Sequence, residues 1–169
     1  GETMGSEFTS YKNELFCDRA VALQVPYEQA GGPIPSCTYT TAKDYGWIWD
    51  IGLHERRGLG YVYSSKYCDE ETAVATLKAH IGPAADNLQH RLLKFEPGYR
   101  KTQWHKNCVG IGLSVGFIEP LEATGISFAE VAALMLCNLF PWSGDYERSA
   151  TQFNNAMSKR FEHVKDFIK

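Results

Sequence analysis

Between Gly46 and Leu53 the chain alternates strictly, with Trp47, Trp49, Ile51 and Leu53 on one face of an extended backbone and Gly46, Ile48, Asp50 and Gly52 on the other. A period of two belongs to a strand, and a strand with one bulky face needs neighbours to pair with and a layer to pack against. The neighbours are at hand. Ser36 to Ala42 reads as a strand before it, across the turn Lys43-Asp44-Tyr45-Gly46, and Leu59 to Ser65 as a strand after it, across His54 to Gly58. Three strands with short connections predict an antiparallel meander. Trp47 and Trp49 are expected as core aromatics, and Arg56-Arg57 as a solvated turn. Upstream, Val21, Leu23, Val25 and Tyr27 alternate with Ala20, Ala22 and Gln24, which gives one more strand from Arg19 to Tyr27. Residues 1 to 16 show no element that starts a domain.

Helical patterns follow the strands. Asp69-Glu70-Glu71 is an acidic helix start, Ala73, Val74, Leu77 and Ile81 make its apolar stripe, and Gly82-Pro83 ends it. Arg91 to Glu96 reads as a strand. Two helices close the sequence: 127 to 140, stopped by Pro141, and about 145 to 168, striped by Phe153, Met157, Phe161, Val164 and Ile168. The fold class is therefore α+β, an antiparallel or mixed sheet in the N-terminal half with helices packed on it mainly from the C-terminal half. At 169 residues the chain is expected to be a single domain over 1–169.

A net charge of −3 with scattered basic residues provides no field for nucleic acid or an anionic membrane. No apolar run approaches the ~18 residues of a spanning helix. The five cysteines are odd in number and widely spaced, and the histidines lack ligand spacing, so neither a disulfide framework nor a metal site is expected; reduced thiols point to the cytoplasm.

Chemistry concentrates between Asn107 and Glu130. Gly110, Gly112, Ser114 and Gly116 recur every second position, which on an extended backbone leaves one face bare to a flat ligand. Ser127-Phe128-Ala129-Glu130 has the spacing of a capping box opening a helix from Val131 to Phe140. Free amides should cluster near Thr124 to Ser127 and can hold a small anion, although a plain loop into a helix has the same sequence. Glu122 reads either as a surface carboxylate or as a general acid/base partly desolvated by Ile118, Pro120, Leu121 and Ile126. Gly110-x-Gly112 and Gly58-x-Gly60 both lack the third glycine of a dinucleotide fingerprint.

Several separated motifs resemble one family. Gly46-Trp47-Ile48-Trp49-Asp50-Ile51, Arg56-Arg57-Gly58-Leu59-Gly60-Tyr61-Val62-Tyr63-Ser64-Ser65, Trp104, Asn107-Cys108-Val109 and Gly116-Phe117-Ile118-Glu119-Pro120-Leu121-Glu122-Ala123-Thr124-Gly125 are similar, in this order, to the flavin-dependent tryptophan halogenases. The resemblance implies the central portion of such an enzyme, without the N-terminal G-x-G-x-x-G and lysine or the C-terminal helical part. It implies FAD in its reduced form, oxygen, and chloride or bromide as the reagents, an aromatic small molecule as substrate and a flavin reductase as partner. Glu122 matches the catalytic glutamate, Thr124 and Gly125 the halide-binding pair, and Leu113 and Ile126 positions that line the flavin. Trp47, Trp49 and Ile51 match the W-x-W-x-I signature held to keep substrate away from flavin. Gly52 stands where the family usually has proline. Such a portion is expected to be inactive alone, to bind FAD weakly or not at all, and to form a homo-oligomer through uncovered apolar surface. A free-standing binding or assembly module, or another flavin monooxygenase on the same frame, are the alternatives.

Overall fold

The computed structural model describes residues 5–27, 31–142 and 144–169, and all of Glu122 but its side chain. Its strands are β1 (Phe8–Ser10), β2 (Arg19–Pro26), β3 (Tyr39–Lys43), β4 (Gly46–Gly52) and β5 (Arg56–Tyr63), followed by helix α1 (Glu70–Ile81). Short strands β6 (Arg91–Lys94), β7 (Gly98–Arg100), β8 (Trp104–His105), β9 (Cys108–Val109) and β10 (Gly116–Phe117) come next, then helices α2 (Thr124–Asn138) and α3 (Tyr146–Ile168). The fold is α+β, with the longer strands in the N-terminal half. It divides into two compact units, one made of residues 16–95 and the other of residues 1–15 and 96–169.

In the unit of residues 16–95 the sheet order is β3-β4-β5-β2-β6, antiparallel throughout. The meander forms as the alternation predicts, and β5 starts at Arg56, inside the segment expected as a turn, because Leu53 N–H bonds Arg56 C=O at 2.9 Å and closes the hairpin early. Arg57 is thereby a strand residue whose Nε donates to Asp50 Oδ1 at 3.1 Å, not a solvated turn residue. The face carrying Val21, Leu23, Val25, Ile48, Leu59, Tyr61 and Tyr63 packs on Ala73 and Leu77 of α1. Asp69 caps α1 by accepting from Thr72 N–H at 2.8 Å, and Gly82 ends it.

The core side of β4 is thus Ile48, 1% exposed. Trp47 and Trp49 lie on the opposite face, half-buried, beside Cys17, Ala20, Val62, Leu93 and Phe95. The expectation of core aromatics holds only in part: α1 covers the face lined by aliphatic and tyrosine side chains, and the tryptophans pack, partly buried, on the smaller cluster of the other face. Gly52 ends β4 with Ile34 and Pro35 over it, so that a Cβ there would stand 2.8 Å from Ile34 Cγ2. The space a proline ring needs is filled.

In the other unit β1 pairs with β7, and β7 with β10. The N-terminal residues therefore contribute a strand, contrary to expectation, and Tyr11 and Leu15 enter the core. The stripe of α3 behaves as its period of 3.6 predicts: Phe153, Met157 and Phe161 are buried against Tyr99, Trp104, Ile118 and Phe128. Asn154 on the same helix accepts from the backbone N–H groups of Gln103 and Trp104 at 2.9 and 2.8 Å and donates to Trp104 C=O at 3.0 Å. Deeper along α3, Tyr11 and Tyr99 both donate to Glu162 Oε1, at 3.0 and 3.1 Å, and Lys165 donates to its Oε2 at 3.0 Å.

Candidate halide and flavin site

Residues 107–117 do not run extended. β9 stops at Val109, Gly112–Ser114 make a 3-10 turn, and the chain returns through β10. Gly112 sits at φ +65°, a left-handed conformation that favours glycine, and Ser114 Oγ accepts from Ile111 N–H at 3.1 Å while donating to Ile111 C=O at 2.9 Å. The alternate glycines consequently do not share a face. Gly116 is small because β10 lies tight on β7: a Cβ there would meet Gly98 O at 2.6 Å. The turn leaves Leu113 78% exposed beside a narrow cleft of about 10 Å³, which Gly112, Val115, Gly125 and Phe128 also line. That volume suits about one water-sized guest.

Helix α2 begins at Thr124, three residues before the expected capping box. The backbone enters through the 3-10 turn Leu121–Ala123, and Ala123 takes φ 51°, ψ 30°, left-handed for a non-glycine residue. Once Ala123 has reversed the chain, helical hydrogen bonding starts at the next residue, and Ser127 and Glu130 fall inside the helix. With Ala123 as N-cap, the first helical bond runs from Ser127 N–H to Ala123 C=O, so the amides that α2 itself leaves over are those of Thr124 to Ile126, one residue short of the expected span. Their setting differs from the other helix starts. Asp69 and Asp145 cap α1 and α3 with their carboxylates, whereas α2 has no side-chain cap and no acidic residue in its first turn. Among the described residues no side chain caps the positive end of its dipole.

Three of the expected residues meet at this start. Thr124 Oγ1 is buried and has no hydrogen-bond partner among the described residues. A Cβ built on Gly125 would meet no atom within 4 Å, so its α-carbon faces open space. Ile126 is 75% exposed. Glu122 lies in the preceding turn, and its side chain is outside the described residues. Glu119, which sequence reasoning passed over, is buried at 5% exposure; a carboxylate in an apolar F-I-E-P-L run is the signal that marks it. A larger open groove of about 890 Å³ lies between the β8–β9 hairpin and the start of α3, and none of the expected site residues lines it.

The sequence profile described as tryptophan halogenase matches residues 1–169. The chain belongs to the tryptophan halogenase family. The tryptophan 6-halogenase SttH of Streptomyces toxytricini is 40% identical over 99% of this chain and 32% of its own length. The crystal structure of a tryptophan halogenase from Shewanella frigidimarina superposes with a TM-score of 0.93 at 42% identity, over 99% of this chain and 33% of that one. BrvH, a flavin-dependent halogenase from a Brevundimonas species, gives a TM-score of 0.89 at 37% identity, over 99% and 34%. This halogenase-family chain thus spans about a third of the length of those relatives. Among the described residues no helix is long and apolar enough to cross a membrane, and no group of three or more His, Cys, Asp and Glu side chains could hold a metal ion. All five cysteines are outside disulfides.

Proposed function

We propose that this chain carries the halide-binding and carboxylate part of a flavin-dependent halogenase, an enzyme that chlorinates or brominates tryptophan or a related aromatic molecule. The start of α2 carries this reading: a buried hydroxyl with no partner among the described residues, open space at Gly125, and a first helical turn with no acidic residue and no side-chain cap from its N-cap residue. A chloride or bromide ion accepts hydrogen bonds from such a place and is stabilised by the positive end of the helix dipole. Thr124 Oγ1 and the Gly125 amide are the proposed donors. Leu113 and Ile126, both large, apolar and exposed, fit the edge of a flat flavin ring and keep water from the ion. When bound, reduced FAD supplies with oxygen the oxidising power that turns halide into an electrophile. Glu122 is proposed to orient that electrophile or to take the proton that the aromatic ring loses. Trp47, Trp49 and Ile51 are proposed to serve as the family's screen between substrate and flavin.

The chain contains neither a G-x-G-x-x-G nor a matched halogen-carrying lysine, so these 169 residues alone are proposed not to turn over. A flavin reductase supplies the reduced cofactor, and the cytoplasm, where five thiols stay reduced, is the proposed compartment. The test is a fluorescence titration of FAD with the purified chain, with and without chloride. Weak binding or none is expected, strengthened by chloride if any is seen. Tight stoichiometric binding without halide would overturn the reading.

A further inference from the structure

Trp49 and Gly60 face each other directly across β4 and β5. A Cβ placed on Gly60 would stand 2.1 Å from Trp49 Cζ2, 2.2 Å from Cη2 and 2.7 Å from Cε2. The benzo half of the indole therefore lies on the backbone of β5, in the space any other residue would fill. Gly60 does not have a left-handed φ, so glycine is required there for room alone. Gly58, two residues away on the same face and opposite Ile51, makes the contrast: a Cβ there would find its nearest neighbour, Leu53 Cδ1, at an ordinary 3.8 Å. Trp47 bounds the other side, its ring centroid 6.2 Å from that of Trp49 at an interplanar angle of 62°. Trp49 is held down by a floor and a wall, and the residue as a whole is half-buried.

We infer that Gly60 is a positioning residue for Trp49, the absent side chain that lets the signature indole lie flat on the sheet instead of standing off it. With a methyl group at 60 the ring must lift by more than an ångström to regain ordinary contact, and the β4 side chain then projects into the space over this face. The consequence for chemistry rests on reading Trp49 as part of the halogenase signature; the pose does not, and the test reads the pose.

The full chain, labelled with 5-fluorotryptophan, gives four ¹⁹F resonances for its four tryptophans, and that of Trp49 is the one lost in Trp49→Phe. Gly60→Ala is expected to shift the Trp49 resonance and to lower the folding equilibrium constant on the order of tenfold or more, the usual effect of overpacking. Gly58→Ala should leave that resonance in place. In a Trp49→Ala background Gly60→Ala should cost nothing or improve folding, since alanine then simply replaces a flexible glycine in a strand. Should Gly60→Ala fail to fold, a folded Trp49→Ala/Gly60→Ala double variant supports the inference. An unmoved Trp49 resonance in Gly60→Ala would overturn it, as would an equal loss of stability with and without Trp49.

Discussion

At the scale of single residues, the informative feature is the Thr124 hydroxyl, buried and without a hydrogen-bond partner among the described residues. A buried hydroxyl without a partner costs about 1–3 kcal/mol, so a protein that keeps one at Thr124 gives up stability there. Thr124→Val keeps the shape and removes the polar atom. It is expected to leave thermal stability in halide-free buffer unchanged or to raise it by about 1 kcal/mol, measured by circular dichroism melts; a clear loss would mean that the hydroxyl is already bonded. Ala123 carries a second local cost. A left-handed conformation disfavours a residue with a Cβ by about 1–2 kcal/mol, and Ala123→Gly should recover up to about 1 kcal/mol of it after the added flexibility of the unfolded chain is counted. Chemical denaturation of the two proteins checks this, and a destabilised glycine variant would contradict it.

Among the elements, α3 does most to fix the unit that bears the site, and its polar contacts titrate. Burial pushes the Glu162 carboxyl up, but hydrogen bonds from Lys165, Tyr11 and Tyr99 outweigh it and hold the group below its ordinary 4.5. A depressed folded pKa contributes stability that is present above the unfolded value and lost as pH falls through the folded one. Acid unfolding should therefore set in below about pH 4.5, and Glu162→Gln should flatten that limb. Tyr11 moves the other way: burial, then its bond to Glu162, raise its pKa from 10.0. Stability from a raised group is complete below the unfolded value and declines as pH climbs past it, so melts above about pH 10 should fall, less so in Tyr11→Phe. The stripe of α3 could be read from the sequence because its apolar spacing is set by burial along one helix face. The bonds of Asn154 to Gln103 and Trp104 and of Glu162 to Tyr11 and Tyr99 could not, since those partners are 50 or more positions away; only Lys165, three residues on, lies within reach of a helix pattern. The start of α2 was legible as a place and misread as geometry, because a capping-box pattern competes with the left-handed Ala123, and only the backbone decides between them. The faces of β4 were legible as a period of two, but the period does not say which face a helix will cover.

On the scale of the whole chain, the discontinuous unit is closed by its first residues: β1 reaches β7 across more than eighty positions. The same unit leaves apolar side chains uncovered, with Ile126 at 75%, Leu134 at 58%, Phe140 at 44% and Trp142 at 88% exposure. Helix α2 is apolar on most of its sides and bears a single charged residue, Glu130. A helix of that kind is normally buried all round. We propose that the 169-residue chain self-associates through this surface, as expected from its sequence. Sedimentation should show a dimer or larger species in the micromolar range, and Leu134→Lys should shift it to monomer; a monomer at all those concentrations contradicts the proposal.

The central claim, a halide site preformed at the start of α2, is tested most directly by the linewidth of ³⁵Cl in the nuclear magnetic resonance spectrum of a chloride solution titrated with the chain. The account predicts broadening that grows with protein concentration, is displaced by bromide, and falls sharply in Thr124→Val while the fold is unchanged. Equal broadening by the wild-type chain and by Thr124→Val would contradict it.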